Sequence, residues 1–325
     1  MVQFETKYAG LTLNNPLIIG SSGLTNSAKK NKALEDSGAG AIVLKSLFEE
    51  QIELQSDLLT HPSDSPEASD YIRNYVKANR IEEYLSLIKE TKSICTIPVI
   101  ASINCYKANA WTEFAKQIEE AGADALELNV FYLCTDPNTS ANEMYDLYVS
   151  ILKKVRKQIS IPIIMKIGKG FSNIPGLVNQ IKLHEAQGVV LFNRYYRPDI
   201  DIKKMQITSG EIFSNPSDLS DTLRWTAIVS GIVPGISISS SFGIHSWKDV
   251  IKCLLAGANT VQLCSTIYKN DKEIITKILE GIEKWMNETK YESISEFRGK
   301  LSFANVENPS MYERAQFMKY FSGNN

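Results

Sequence analysis

The sequence predicts a (β/α)8 barrel on three observations: eight short apolar runs, helical patterns strictly alternating with them, and two long insertions that each follow a run. Four of the runs open with proline, at Asn15-Pro16-Leu17-Ile18-Ile19, Ile97-Pro98-Val99-Ile100, Ile161-Pro162-Ile163-Ile164 and Val233-Pro234-Gly235-Ile236. Proline is tolerated where a strand begins, because its missing N–H costs little there. The other four follow a glycine, at Gly38, Gly122, Gly188 and Gly257, each after a helical pattern. Glycine in that position reads as a helix C-cap. The two signals interleave along the chain.

The helical patterns between the runs lie at about 26–37, 81–93, 109–121, 142–158, 175–186, 219–231, 245–256 and 271–287. In 113–121 the apolar residues fall at helical spacing. Alternating strands and helices imply right-handed crossovers and a parallel sheet, whose strands are apolar on both faces because helices cover it. Eight such units fit a closed barrel better than the alternative, a doubly wound open sheet. The insertions, about 46–80 and 194–218, fall at the C-terminal ends of strands, where barrel pockets are built. The expected organisation is one domain over 1–325, with a C-terminal extension from about 288.

Composition narrows the class. The 325 residues carry 35 Lys and Arg against 37 Asp and Glu, a net charge of −2 that gives no reason to expect nucleic acid or an anionic membrane as partner. Five scattered cysteines without a metal spacing read as reduced thiols, and three dispersed histidines do not suggest zinc. The N-terminus lacks a leader pattern and no apolar stretch approaches the roughly 18 residues of a membrane span. A soluble, cytoplasmic protein is expected.

The residues just past each run are polar and should converge on one mouth: Ser21-Ser22-Gly23, Lys45-Ser46, Ser102-Ile103-Asn104, Glu127-Leu128-Asn129, Met165-Lys166, Phe192-Asn193-Arg194, Ser241-Phe242-Gly243 and Cys264-Ser265-Thr266. Any one of them is ordinary at a strand end. Lys45 and Lys166 are not, because a cation at the end of an apolar strand is costly unless it meets a partner or ligand. The asparagines offer amide donors and acceptors to a planar heterocycle. The seventh and eighth strand ends suit a phosphate, held by glycine-exposed N–H groups, hydroxyls and a helix start. Phosphate, lysine and amides together describe an FMN site, with Lys166 placed to balance charge on a reduced ring.

The run Asn15 to Gly23, the run Pro98 to Asn104, the run Glu119 to Asn129 and the run Gly257 to Leu263 resemble dihydroorotate dehydrogenases, over about 10–290. That resemblance implies FMN contacts at Ser21, Ser22, Lys45, Ser46, Asn104, Asn129, Lys166, Gly243 and Ser265, with Thr266 beside them and Ser214 and Asn215 on the phosphate side. It implies substrate contacts at Lys45, Asn129 and Asn193, and oxidation of dihydroorotate to orotate by hydride transfer to the flavin. A homodimer is implied by the soluble relatives. Electrons are expected to leave through a small acceptor or another subunit, since neither an iron–sulfur cysteine cluster nor a GxGxxG loop is present.

Three places depart from the family pattern. The soluble class continues after the fourth-strand asparagine as Asn-Leu-Ser-Cys-Pro-Asn, with cysteine as base; here Asn129 leads into Val130-Phe131-Tyr132-Leu133-Cys134-Thr135-Asp136. The base position falls on Tyr132, and Cys134 stands two residues on, about 6–7 Å along an extended chain. Either is a candidate catalytic residue, with Lys45 beside the substrate; an unperturbed phenol, near pKa 10, is a poor base at neutral pH. The pair Asn-Ser/Thr after the sixth strand is Asn193-Arg194, and the loop His61 to Asp70 lacks the usual Asn-x-x-Gly. Alternatives therefore stay open: another reduced cyclic substrate, a silent FMN- or ligand-binding paralogue, or a Schiff-base lysine in an aldolase-like barrel.

Overall fold

The computed structural model describes residues 2–59, 66–104 and 110–315. Eight strands form a closed parallel barrel: β1 (Leu17–Ile19), β2 (Ala41–Val43), β3 (Val99–Asn104), β4 (Ala125–Asn129), β5 (Ile163–Ile167), β6 (Gly188–Leu191), β7 (Ser237–Ser241) and β8 (Thr260–Leu263). Each pairs with the next, β8 returns to β1 through Val261 and Leu17, and β2 pairs with β3 through Ile42 and Val99. The eight predicted runs are these strands. An open doubly wound sheet is excluded by the closure.

Helices wrap the barrel: α1 (Ala28–Asp36), α2 (Pro66–Ile94), α3 (Ala110–Glu120), α4 (Ala141–Arg156), α5 (Ile174–Leu183), α6 (Leu219–Ile232), α7 (Trp247–Ala256) and α8 (Ile274–Thr289). Their apolar faces and the outward strand residues make the larger core, including Leu44, Ile88, Leu126, Leu152 and Val261. The inner core is smaller. Ile18, Ala41, Val43, Ile100, Ala125, Ile164 and Val190 meet Tyr8 and Leu13 inside the barrel. Tyr8 and Leu13 belong to an antiparallel hairpin, Thr6–Tyr8 with Leu11–Leu13, which plugs the N-terminal mouth with apolar bulk. Since strand side chains alternate faces, the next inward layer toward the C-terminal mouth is Ser102, Glu127 and Lys166, all buried. The polar residues therefore collect at one end.

The 46–80 insertion is largely helical among its described residues. It holds a two-residue strand, Leu47–Phe48, a helix Glu49–Leu59, and the first turns of α2, which starts at Pro66 well before the expected 81. The 194–218 insertion folds as a hairpin, Pro198–Asp201 with Gln206–Ser209. Gly38, Gly122 and Gly257 stand at positive φ after α1, α3 and α7 as expected. Gly188 does not. There Glu185 takes the left-handed turn after α5, and Gly188 opens β6 where an added Cβ would press against Ala9 and Ile164.

One bracing device repeats across the barrel. Glu35 at the end of α1 accepts from the Thr96 N–H at 2.8 Å and hydroxyl at 2.6 Å, just before Pro98 opens β3. Glu119 at the end of α3 accepts from the Ser160 N–H at 2.7 Å and hydroxyl at 2.6 Å, just before Pro162 and β5. Burial works against the Glu35 carboxylate, but the Thr96 and Lys32 hydrogen bonds bring its pKa down from 4.5 to about 2. The extension beyond Thr289 packs Ile294 and Phe297 into the core and ties back through Leu301 N–H to Leu255 O at 2.8 Å and Phe303 N–H to Ala227 O at 3.0 Å.

Candidate active site at the C-terminal mouth

At the centre of the C-terminal end lies a buried polar triangle. Lys166 on β5, 8% exposed, donates to Gln262 Oε1 of β8 at 3.1 Å and reaches Glu127 Oε1 of β4 at 3.5 Å. Gln262 Nε2 donates to the second Glu127 oxygen at 2.6 Å. Glu127 is 0% exposed, so its charge depends on these partners. The arrangement fixes an ammonium at the floor of a cavity that Lys166 lines with Ser21, Phe192, Asn193, Ser214, Gly243 and Ser265.

The rim around that floor is built from serines. Ser21 Oγ meets Ser46 Oγ at 3.0 Å and accepts from the Ser46 N–H at 2.8 Å; Ser46 Oγ meets Ser102 Oγ at 2.7 Å. Tyr84 of α2 locks Ser102 by donating to its carbonyl at 2.9 Å and accepting its N–H at 2.7 Å. Ser22 caps a short turn by accepting from the Leu24 N–H at 3.2 Å. Asn104 ends β3, half-buried and in register with Phe48.

The far side of the cavity is built by the loops after β7 and β8. Gly243 has φ +81, and a Cβ there would run into the backbone of Leu219, so the loop after β7 approaches its neighbour as only glycine allows. Ser214 N–H donates to Ser265 Oγ at 3.0 Å, and Lys269 Nζ donates to Ser214 O at 2.9 Å. His245 ties the loops together: Nε2 lies 3.0 Å from Ser214 Oγ and Nδ1 3.0 Å from Thr266 Oγ1. Burial, then the Lys269 charge, hold the His245 pKa below its usual 6.5 against the pull of Asp249. Asn215 turns elsewhere, its Nδ2 donating to Glu211 Oε2 at 2.5 Å. The donor set fits FMN: hydroxyls, a glycine cradle and nearby Lys269 at one end, Phe192, Phe213 and Ile244 along the walls, and Lys166 at the floor.

Over residues 3–286 the chain matches the sequence model of the family described as Dihydroorotate dehydrogenase. It belongs to the dihydroorotate dehydrogenase family. It is similar to "Dihydroorotate dehydrogenase B (NAD(+)), catalytic subunit" of Thermoplasma volcanium, 28% identical over 306 residues that cover 92% of this chain and 98% of the relative. The proteins of the same name from Pyrococcus furiosus, 27% identical, and Methanocaldococcus jannaschii, 23% identical, cover 89% and 87% of this chain and 96% and 94% of their own length. The family is one of oxidoreductases acting on CH–CH bonds.

Within that family frame the expected substrate residues are only partly assembled. Asn193 Nδ2 donates to Asn129 Oδ1 at 2.5 Å, so those two meet across the mouth. Lys45 instead lines a neighbouring cavity with Asn26, Gln51, Arg80 and Glu83. Tyr132 is 44% exposed, and Cys134 Sγ reaches Asp136 O at 3.6 Å; neither lines the cavity with Lys166. The loop between them and the barrel is anchored by Phe131, which stacks on Tyr195 at 4.5 Å between ring centroids. The loop residues His61 to Ser65, and Cys105, lie outside the described residues. Among the described residues no helix is long and apolar enough to cross a membrane, and no group of three His, Cys, Asp or Glu could hold a metal ion.

The sequence places Glu127 at the mouth without assigning it a role, and assigns none to Gln262 or His245. Glu127 and Gln262 are legible by strand alternation, since each lies an even step from an inward residue. His245 carries no such signal, because its partners come from residues 214 and 266.

Proposed function

We propose that this chain binds FMN at the C-terminal mouth and oxidises dihydroorotate to orotate in pyrimidine biosynthesis. The observation that carries the reading is the buried Lys166 ammonium in one cavity with Ser214, Gly243 and Ser265. Ser265 and the Gly243 backbone would hold the phosphate, and Ser21, Ser46 and Lys166 the ring end. When bound, FMN supplies the acceptor for the hydride that leaves C6 of the substrate. Lys166 supplies positive charge in a site where charge is weakly screened, favouring the reduced cofactor. Asn129 and Asn193 would orient the substrate ring through amide hydrogen bonds, and Lys45 would join them on swinging from its own cavity. A base must take the C5 proton; Cys134 and Tyr132 are the two groups on the loop after β4 that can do so once that loop turns inward.

The names of the relatives, which specify NAD(+) and a catalytic subunit, support an electron-transfer partner subunit for this chain as well. The whole of 1–325 works as one domain, as a homodimer and in the cytoplasm.

Anaerobic addition of dihydroorotate to the FMN-loaded protein should bleach the flavin band, and either Cys134→Ser or Tyr132→Phe should abolish the bleaching and so assign the base. Bleaching only by a different dihydropyrimidine would replace the substrate. Absence of bleaching with every dihydropyrimidine would make the chain a silent binder.

A further inference from the structure

Three cations surround the ring of Phe242 at the end of β7: Lys169 at 5.9 Å from the centroid, Arg194 at 5.7 Å and Arg197 at 5.7 Å. Two are neutralised. Lys169 pairs with Asp221 at 2.8 Å, and Arg197 with Asp218 at 2.9 Å. Arg194 has no carboxylate within ion-pair distance among the described residues. Its Nη2 donates to the backbone carbonyl of Glu211, and its Nη1 is buried without an acceptor. The guanidinium is thus held over Phe242 and by one edge on the Glu211 carbonyl, with the Asp218 and Glu211 carboxylates acting on it only from beyond ion-pair distance, while one buried donor group goes unanswered. A buried guanidinium donor without an acceptor is costly, a penalty an incoming anion would relieve.

Arg194 lines the same cavity as Lys166, and its own N–H donates to Asn193 Oδ1 at 2.8 Å, the residue whose amide joins Asn129. We infer that Arg194 is a specificity-determining residue that receives the carboxylate of the substrate, selecting orotate-like rings over uncharged pyrimidines. This rests on the proposed function above. The anion could in principle come from the cofactor phosphate instead, since both present oxygens that a guanidinium binds in the same way. The position favours the carboxylate: Arg194 adjoins the Asn129–Asn193 pair, whereas Gly243, Ser265, Ser214 and Lys269 already furnish the phosphate end.

The test is equilibrium binding of orotate, its neutral carboxamide and uracil to the FMN-loaded protein, read as the shift of the flavin absorbance. The wild type should bind orotate at least about tenfold more tightly than the carboxamide or uracil, as a charge-assisted contact implies. In Arg194→Gln that preference should collapse while FMN affinity is retained; Arg194→Lys, which keeps the charge and loses the planar fork, should retain part of it. The wild-type comparison of orotate with its carboxamide needs no variant and stands even if Arg194→Gln folds poorly. Equal loss of orotate and uracil in Arg194→Gln, or an unchanged preference, would overturn the inference and leave the proposed function intact. A fall in FMN affinity with the preference unchanged would assign the guanidinium to the phosphate and equally overturn it. Failure of the wild type to bind any of the three would overturn both.

Discussion

Replacing Glu127 by Gln removes one charge from the floor of the site and almost nothing else. The side chain keeps its shape, its 0% exposure and an oxygen for the Gln262 Nε2 donor now at 2.6 Å. What it loses is the carboxylate 3.5 Å from Lys166 Nζ, which leaves a buried ammonium with Gln262 Oε1 as its remaining partner. Breaking a buried pair by removing one charge costs about 3–5 kcal/mol. The 3.5 Å separation is long for a charge-assisted contact and Gln262 stays in place, so the low end, about 3 kcal/mol, is expected. In a protein of 325 residues that corresponds to a fall of roughly 4 °C in melting temperature. The assay is calorimetry of the flavin-free protein at neutral pH, with Glu288→Gln on the exposed side of α8 as the control. Addition of FMN at about a hundred times its Kd should raise the melting temperature of both proteins, by an amount equivalent to about 2.7 kcal/mol in the wild type. A Glu127→Gln protein as stable as the wild type would show that the carboxylate does not hold Lys166, and the account of the cavity floor would fail.

Three further outcomes follow from the same geometry. Gly243→Ala forces a Cβ against the Leu219 backbone at a φ of +81, so FMN affinity, measured by fluorescence quenching, should fall by about tenfold or more while the far-ultraviolet circular dichroism stays unchanged. His245 has a depressed pKa, so the unfolded chain takes up its proton first: stability is full above about 6.5 and is lost as pH falls below that value. The melting temperature of Ser214-linked wild type should therefore drop more steeply from pH 7 to 5 than that of His245→Gln. Glu35, with its carboxyl lowered from 4.5 to about 2, contributes stability that is present above pH 4.5 and lost as pH falls toward 2; Glu35→Gln should cost up to about 3 kcal/mol in urea unfolding at pH 7 and nothing near pH 2.

The barrel was legible because its signals are local. Proline at a strand start and glycine after a helix act within two or three residues, and strands covered on both faces show as plain apolar runs. Gly188 misled by the same logic, since a glycine can be required by packing against Ala9 and Ile164 rather than by a turn. The helical nature of the 46–80 insertion was hidden because the helix Glu49–Leu59 and the first turns of α2 pack on each other, as where Arg80 donates to Gln55 at 2.7 Å, and such contacts leave no local signature. In the site, strand parity places Lys166, Asn129 and Ser265 at the mouth, and the structure brings the first and last into one cavity. Parity does not tell how far a long side chain reaches, so Lys45, in line with Ala41 and Val43, ends in a separate cavity. Nor does it give the fold of the loop after β4, where Phe131 stacks on Tyr195 and Tyr132 is exposed, with neither Tyr132 nor Cys134 lining the cavity that holds Lys166. Contacts of high sequence separation, such as those of His245 with Ser214 and Thr266, have no local signature at all.

The proposed site has residues from Ser21 to Ser265 enclosing one flavin mononucleotide. The most direct measurement is the cofactor released by heat from the chain purified under mild conditions, or from the flavin-free chain after reconstitution, identified and counted by chromatography against the protein concentration. The account predicts FMN at about one per chain, lost in Lys166→Met by weakened binding. A preparation that holds no flavin, and takes none up when FMN is supplied, would contradict it.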